Sequence, residues 1–377
     1  MNRKLLTVII VLITLTLGCS EVLAGSPGAS YLAKWKGDAK AAFSTTFDDN
    51  GAMHNIQASI LEEYGVRGTF GPITSYMNEE MFLDIFHRGH ELGSHTVNHL
   101  PLNEASMETI IYELTESKLF IEELTGVPCV SYIAPYGKLD PNVIAVAWEL
   151  YISARGVHFG INGVAGADIF KLWVAPYPTP WGSTWTDEQY ITNLRQYVED
   201  VLEVEGWGVE MWHGLTLEPN FPSSGQTVNE TVFRSHLAEL TSEYAQVVWV
   251  APQGKVARYH LEWQETTINT WPITDYIILV DLLFDGDKEI FDEPLTVVTR
   301  IPENWVNGQI TVMQDGTQLD YMIDVCDEVP CLLYDALPGA GAVSIVLELI
   351  LGDLNGDGVV DMIDLARLSA HWLEGVE

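Results

Sequence analysis

The pattern of hydrophobic and polar residues changes character along the chain. From about 34 to 265, short apolar β-prone runs alternate with longer segments whose apolar residues recur every three or four positions. The first pattern predicts strands and the second amphipathic helices, most clearly over 107–124 and 187–205. Such alternation is typical of a parallel sheet or barrel with helices packed on it. The predicted strands are 41–47, 68–70, 91–94, 129–134, 151–154, 172–175, 208–212 and 246–250.

The segment 267–351 has no helical period. Runs with alternating apolar residues are separated there by Asp-Gly, Pro-Glu-Asn and Pro-Gly turns. This pattern predicts a small antiparallel all-β domain such as a sandwich. Its role is either that of an accessory module that contacts carbohydrate or that of a packing domain. The clearest predicted strands are 276–283, 295–299, 309–313 and 343–349.

The tail, 352–377, has the spacing of a calcium loop followed by an amphipathic helix. A glycine, Gly358, stands at position 6 of the loop, where the chain must turn sharply. Oxygen ligands at loop positions 1, 3, 5, 7, 9 and 12 are what calcium prefers, and the residue at position 7 offers its backbone carbonyl. The ligands so predicted are Asp353, Asn355, Asp357, Val359, Asp361 and Asp364.

The N-terminus predicts an export signal over 1–24. Arg3 and Lys4 precede an apolar run, 5–17, and small residues suited to cleavage follow it. The run is too short for a membrane span, and no other segment is apolar enough to cross a bilayer. We therefore expect a soluble secreted product, with a lipid anchor through Cys19 as the alternative.

Net charge limits the partners of the chain. Lysine and arginine total 18 against 53 aspartates and glutamates, a formal charge of −35. Such a surface repels phosphates, which excludes nucleic acid and disfavours anionic polymers as partners. It suits a halotolerant or calcium-rich extracellular setting. In an oxidising compartment, Cys326 and Cys331 could close a small disulfide across a turn-like stretch, whereas Cys129 lies in an apolar run and is predicted to be a buried thiol.

Two acidic and two imidazole side chains form the candidate catalytic site. Asp48 and Asp49 follow the strand predicted at 41–47, and His95 and His99 follow the one at 91–94. In an α/β barrel, that is where the active site lies. One aspartate and two histidines leave a coordination position open for water, as hydrolytic zinc sites require. The other aspartate is then available to handle protons.

Four motifs resemble, in order, those of the polysaccharide deacetylases of carbohydrate esterase family 4, also called the NodB-homology domain. The resemblance covers about 34–265 and implies a distorted (β/α)7 barrel, as in glycoside hydrolases and deacetylases, that removes acetyl groups from a glycan. The tail is similar to one dockerin-type calcium repeat, which implies a cohesin-bearing scaffold as a partner. The four motifs are Thr46-Phe47-Asp48-Asp49, Ser94-His95-Thr96-Val97-Asn98-His99, Ala134-Pro135-Tyr136-Gly137 and Met211-Trp212-His213.

The resemblance also implies roles. Asp49, His95 and His99 would bind a divalent transition metal, most often zinc, and Asp48 would take a proton from the water that the metal activates. The backbone N–H of Tyr136 would help to stabilise the oxyanion. His213 would protonate the leaving amine or alcohol.

The sequence departs from the family pattern at two positions. Ile133 stands where the family usually has an arginine that pairs with the base, and Asn50 replaces the usual glycine. Because a neighbouring arginine typically lowers an aspartate pKa by about 1–3 units, its loss would let the pKa of Asp48 rise. We hypothesise that Arg155, after the strand predicted at 151–154, substitutes for it and orients Asp48 or the substrate.

The chain is therefore expected to be a secreted, metal-dependent deacetylase acting on an N-acetylated polysaccharide. An O-acetyl glycan esterase could use the same residues, and an amidohydrolase acting on a small cyclic amide is a third branch. The contrasting class is a non-catalytic glycan-binding or assembly protein with a degenerate barrel. Metal content separates the last class from the enzymes.

Overall fold

The structure is a computed structural model, which describes residues 27–163, 168–180, 182–218, 221–348, 352, 360 and 362–371. The chain divides into two compact units. One, here called the α/β unit, contains 33–265 together with 286–295. The other, the β unit, contains 266–285 and 296–348 together with the first described strand.

The strands and helices are numbered in chain order. The strands are β1 Ser30–Leu32, β2 Ala41–Asp48, β3 Thr69–Gly71, β4 Glu91–Leu92, β5 Ser131–Ile133, β6 Ser153–Phe159, β7 Leu172–Val174, β8 Thr184–Trp185, β9 Trp207–Trp212, β10 Gly214–Thr216, β11 Ser223–Ser224, β12 Thr227–Asn229, β13 Val248–Val250, β14 Thr267–Thr274, β15 Ile277–Leu283, β16 Leu295–Arg300, β17 Gln309–Gln314, β18 Thr317–Gln318, β19 Tyr321–Cys326, β20 Val329–Ala336 and β21 Val343–Glu348. The α-helices are α1 His54–Glu63, α2 Glu79–His87, α3 Met107–Thr125, α4 Pro141–Leu150, α5 Asp187–Glu203, α6 Glu230–Ala238, α7 Gln253–Glu265 and α8 Met362–His371.

The α/β unit is built on two parallel sheets. In the larger sheet β2 pairs with β9 on one side and with β13 and β3 on the other, and β4 extends the sheet beyond β3. The smaller sheet has the order β5-β6-β7. Parallel strands joined by helices make this an α/β fold, as the alternating pattern predicts. Each strand predicted from that pattern overlaps one of these observed strands.

Strand β2 is buried along its whole length although it contains three hydroxyl side chains as well as Asp48. Each of these hydroxyls finds a partner. Ser44 donates to the Ala251 carbonyl at 2.9 Å and Thr46 to the Glu210 carbonyl at 2.6 Å, while Thr45 donates to the Glu210 carboxylate at 3.3 Å. Because buried polar groups cost free energy unless they are hydrogen-bonded, these contacts allow a polar strand to occupy the centre of the sheet.

The two helices predicted most clearly are observed with defined ends. Helix α3 begins after Ser106, whose side chain accepts from the Thr109 N–H, and ends at Gly126 in the left-handed conformation. Helix α5 begins with a capping box formed by Thr186 and Gln189. It ends at Glu203, two residues earlier than the pattern predicts.

The β unit contains two antiparallel sheets with the orders β1-β16-β20-β19 and β14-β15-β21-β17-β18. Apolar side chains such as Val297, Leu332 and Ile345 form its core. The cysteines predicted as a pair, Cys326 and Cys331, form a disulfide that joins β19 and β20. Strands β14, β19 and β20 were not among those that the alternating pattern predicts most clearly.

Several predicted features lie outside the described residues. They are the export signal, 1–24, with Cys19, and most of the calcium loop: Asp353, Asn355, Asp357, Val359 and Asp361. The remaining predicted calcium ligand, Asp364, lies in α8 and is buried. Within the described ranges, no helix combines the length and the apolar character that a membrane crossing requires.

Candidate active site

Asp48 and Asp49 stand where β2 ends, and their side chains are presented to different neighbours. Asp48 is the last residue of the strand and is buried. Asp49 has a positive φ of 72°, which turns the chain directly after the strand. Its Oδ1 lies 3.5 Å from His95 Nε2 and 3.4 Å from His99 Nε2. The structure thus places the three predicted metal ligands together.

The hydrogen bonds of the loop after β4 fix its two histidines. His95 is buried, and its Nδ1 donates to the carbonyl of Ile133 at 2.8 Å, which leaves the Nε2 lone pair for a metal. The backbone N–H of His99 donates to Thr96 Oγ1 at 3.0 Å. Between them, Asn98 donates to the Glu113 carboxylate from both its backbone and its side chain, at 2.8 and 2.7 Å. The loop is therefore anchored to α3.

The spacing of the three ligand atoms fits a small divalent cation. Zinc–nitrogen and zinc–oxygen bonds are about 2.1 Å, so two ligand atoms of a tetrahedral site lie roughly 3.4 Å apart. The aspartate-to-histidine separations of 3.4 and 3.5 Å match that spacing. All three ligand atoms lie within 4.8 Å of one another. Two imidazoles and one carboxylate are also ligands that a hydrolytic zinc site uses.

Arg155 ion-pairs with Asp48. Both side chains are buried, and Arg155 Nη2 donates to Asp48 Oδ1. Burial acts to raise the pKa of Asp48, but Arg155 together with His213 and His95 outweighs it and lowers that pKa to about 2. The structure corrects one detail: β6 begins two residues later than predicted and continues to Phe159, so Arg155 lies inside the strand rather than after it.

His213 follows β9 directly and faces the same carboxylate. Its Nε2 lies 3.8 Å from Asp48 Oδ2, and its side chain is largely buried. Burial lowers the pKa of the imidazole, against the opposing effect of the two aspartates. The carboxyl ends of the parallel strands therefore bring together Asp48, the three predicted metal ligands and His213. This is where an α/β fold positions its active site.

Helix α1 contributes a residue that the sequence did not single out. His54 is fully buried, and its Nε2 lies 3.1 Å from the backbone oxygens of both Asp48 and Asp49. Its Nδ1 lies 2.7 Å from Gln57 Oε1, and Gln57 Nε2 donates to the His213 carbonyl at 3.1 Å. The two ring nitrogens of His54 therefore lie against oxygen atoms of Gln57, Asp48 and Asp49. His54 lies six positions after Asp48 in the sequence, but no sequence pattern predicts this contact.

Asn50, which replaces the usual glycine, ties two loops together. Its amide nitrogen donates to the Ile73 carbonyl and its amide oxygen accepts from the Ile73 N–H, each at 3.0 Å. On the opposite side, Tyr136 has a φ of 55° within the tight turn Pro135–Gly137. Its exposed ring lies 4.6 Å from the ring of His99. The left-handed backbone of Tyr136 thus lies beside the predicted metal ligand His99.

The predicted site residues line one cavity of about 460 Å³. Asp48, Asp49, His95, His99 and His213 form its polar wall. Tyr136 closes one side, and the remaining wall is formed by Val157, Tyr177, Met211 and Gln226. Arg155 does not line the cavity, because it lies behind Asp48.

Comparison with known proteins agrees with this arrangement. Residues 36–154 match the family model described as polysaccharide deacetylase. The match covers about a third of the chain, and this segment is similar to that family. The matched segment contains the predicted metal ligands and Asp48. Arg155 and His213 follow it in the chain.

Among relatives, the chain is 27% identical over 336 residues to a protein named gellan lyase from a Bacillus species. The match covers 85% of this chain but 13% of the other, so the chain spans about an eighth of the length of the curated relative that it matches.

The solved structures similar to this chain include a Mycobacterium smegmatis protein assigned as a polysaccharide deacetylase. It is 20% identical at a TM-score of 0.48, and the match covers 63% of this chain and 96% of that one. A family 4 acetyl xylan esterase from Clostridium thermocellum, in complex with a cobalt ion, is 16% identical at a TM-score of 0.41, covering 59% and 91%.

Proposed function

We propose that this protein is a metal-dependent hydrolase that removes acetyl groups from a polysaccharide. The observation that carries the proposal is the meeting of Asp49, His95 and His99 with the ion pair of Asp48 and Arg155 at one cavity. Three ligand atoms at zinc-like spacing leave a coordination position for water, and an ionised carboxylate lies beside them. The metal proposed is a divalent transition metal, with zinc the first choice.

Each protein group has a proposed role in the reaction. A bound metal supplies a nucleophile at neutral pH and polarises the acyl oxygen. Asp48 accepts a proton, and Arg155 orients that carboxylate and keeps it ionised. His213 donates a proton to the leaving nitrogen or oxygen, while the backbone N–H of Tyr136 stabilises the oxyanion. Positioned acid–base groups of this kind typically contribute about 10²–10⁴-fold to the rate.

The proposed scaffold is the distorted (β/α)7 barrel. Two contacts support closure of the two parallel sheets. An isolated parallel bridge joins Ser94 and Tyr132, and the Ala175 N–H donates to the Val209 carbonyl at 2.8 Å. The first contact continues β4 toward β5, and the second continues β7 toward β9. The result would be a closed ring of seven strands, made of β2 to β7 and then β9, which pairs with β2.

Acetate release from acetylated oligosaccharides tests the proposed activity. We expect release from an N-acetylated substrate by the metal-loaded protein, and a loss of about 10²-fold or more in Asp48→Asn. Lys40→Met, at the opposite end of β2, is the control and should retain activity. Release from O-acetylated substrates alone would identify an esterase instead. Neither stoichiometric metal nor release would indicate a non-catalytic glycan-binding protein.

We propose in addition that the protein is secreted and that its tail binds calcium. The ligands would be those predicted from 353 to 364, and a cohesin-bearing scaffold is the proposed partner. A calcium-dependent pull-down with a cohesin module tests this, with Asp357→Ala as the variant expected to lose retention. Calcium binding without cohesin retention would indicate a small calcium-stabilised cap.

A further inference from the structure

A second cavity, of about 290 Å³, lies beside the candidate active site. The two cavities are lined by neighbouring residues of the same elements. Tyr136 and Val157 line the first, whereas Gly137, Gly156 and His158 line the second. The Tyr136–Lys138 turn and β6 thus form the boundary between the two cavities.

Trp173 is a fixed aromatic surface in this cavity. Its backbone N–H donates to Asn162 Oδ1 at 2.7 Å, and its carbonyl accepts from Asn162 Nδ2 at 2.9 Å. Asn162 is itself buried. The indole packs on Gly160, where an added Cβ would come within 2.1 Å of the ring. Because the ring is held in place and is still 44% exposed, it can stack on a sugar at little entropic cost.

Basic side chains line the same cavity as this aromatic ring. Lys138 and Lys171 line the cavity together with His158, and all three side chains are exposed. Lys171 lies 3.6 Å from Asp168, but no carboxylate within the described ranges pairs with Lys138. The one carboxylate of the lining, Asp140, is already engaged, since it accepts from the Val143 N–H at 2.9 Å as the N-cap of α4.

The negative charge of the whole chain bears on what these lysines can bind. With 18 basic residues against 53 acidic ones, the molecule as a whole repels anions. That repulsion is screened beyond about 8 Å at physiological ionic strength, whereas a direct contact inside the cavity is not. An anionic sugar could thus bind only where cations face it, and this cavity provides them.

We propose that the second cavity is a subsite for a carboxylate-bearing sugar, a uronic acid, adjacent to the acetylated sugar. Trp173 stacks on the ring, and Lys138 contacts the carboxylate. The subsite rests on the proposed function for its position along the glycan. It narrows the substrate class to acetylated acidic polysaccharides, contrary to the expectation from net charge that anionic polymers are disfavoured.

Binding rather than turnover tests the subsite. The probe is an unacetylated oligosaccharide in which glucose alternates with glucuronic acid, compared with the same oligosaccharide after reduction of its carboxyl groups. Calorimetry on the full chain should show about fivefold tighter binding of the acidic form, since an exposed ion pair contributes up to about 1 kcal/mol. The preference should shrink at 0.5 M NaCl because salt screens it.

Variants separate charge from stacking. Lys138→Met should abolish the preference for the acidic form, and Lys40→Met, an exposed lysine distant from the cavity, should leave it intact. Trp173→Ala should weaken binding of both forms by about fivefold, because it removes the stacking surface.

Equal binding of the two forms, no binding of either, or an unchanged preference in Lys138→Met would overturn the subsite. A wild-type preference for the acidic form without acetate release from any substrate would instead count against the deacetylase function and leave the subsite standing.

Discussion

At the scale of single residues, Arg155 supplies the arginine partner of Asp48 that the sequence lacks at position 133. Ile133 occupies the usual arginine position, and its carbonyl instead accepts from His95. The guanidinium reaches the same carboxylate from the neighbouring strand β6, which pairs Ile133 with Arg155. Both ionic groups are buried, so removing one of them leaves an uncompensated charge that typically costs about 3–5 kcal/mol.

Arg155→Met should therefore alter both stability and pH dependence. Arg155 lowers the pKa of Asp48, and the proposed role of Asp48 as a base requires an ionised carboxylate. Without the guanidinium that pKa rises, so the acid limb of kcat/KM should move to higher pH, together with a fall in unfolding free energy. The pH profile of acetate release and urea denaturation measure the two effects. Arg195→Met, which removes an exposed arginine on α5, should change neither, and an unmoved acid limb in Arg155→Met would refute the role.

Most of the site could be predicted from residue identity and order. Asp49, His95 and His99 meet as expected because each follows a parallel strand, and such strands end at one edge of the sheet. Arg155 was found by the same reasoning, although it lies inside β6 rather than after it. His54 could not be found this way. Its contacts with Asp48 and Asp49 are with backbone oxygens, which every residue has, so they leave no trace in the sequence.

At the scale of elements, α1 links the two strands that carry the proposed proton-handling groups, Asp48 and His213. Its first turn places His54 under the Asp48–Asp49 peptide and Gln57 against the carbonyl of His213. Neither side chain lines the cavity. Both are positioning residues that connect the end of β2 to the end of β9.

Gln57→Leu should test this link. The change removes two hydrogen bonds and leaves a buried His54 nitrogen and the His213 carbonyl unsatisfied, at a cost of about 1–3 kcal/mol each. Displacement of His213 by a fraction of an ångström should lower kcat by about tenfold or more with little change in KM. Ile56→Ala, on the exposed face of the same helix, is the control. A variant with reduced stability but normal kcat would show a purely structural role.

Helix α7 carries a buried acid that makes stability depend on pH. Glu262 is fully buried, and burial raises its pKa to about 8. Its Oε2 accepts from the Glu293 N–H at 3.2 Å, within the 286–295 segment of the same unit. Because the folded-state pKa exceeds the ordinary value of 4.5, this group favours folding below pH 4.5. That contribution is lost progressively as pH rises toward 8.

Glu262→Gln should thus unfold at higher urea concentration than the wild type at pH 8 and at nearly the same concentration at pH 4. At about 1.36 kcal/mol per pKa unit, the difference at pH 8 is on the order of a few kcal/mol. Glu265→Gln, exposed on the same helix, should shift neither midpoint. Equal midpoints for wild type and Glu262→Gln at pH 8 would contradict the assignment.

At the scale of the whole molecule, charge is the dominant property. A net charge of −35 implies self-repulsion that opposes compaction. We expect the melting temperature to rise between 10 mM and 0.5 M NaCl, because salt screens that repulsion. Scanning calorimetry across this range measures the effect, and a melting temperature that falls would contradict it.

The fold class could be predicted from the hydrophobic periodicity of the sequence, but the division of the chain into two units could not. Alternating strands and helices predict the α/β unit because hydrophobic periods of two and about 3.6 residues are local properties. The placement of 286–295 with that unit depends on contacts such as that between Glu262 and Glu293, which join distant parts of the chain. A pattern read in short windows does not contain such pairs.

The first strand of the β unit also sets an order of events during synthesis. Ser30 in β1 pairs with Thr299 in β16, and 269 positions separate them. At about 5–20 residues per second, translation needs roughly 13–54 s to make the partner after the first strand emerges. The entire α/β unit up to Glu265 is made during that interval, and it has time to fold first. The ribosome therefore releases β1 long before the sheet that it belongs to can exist.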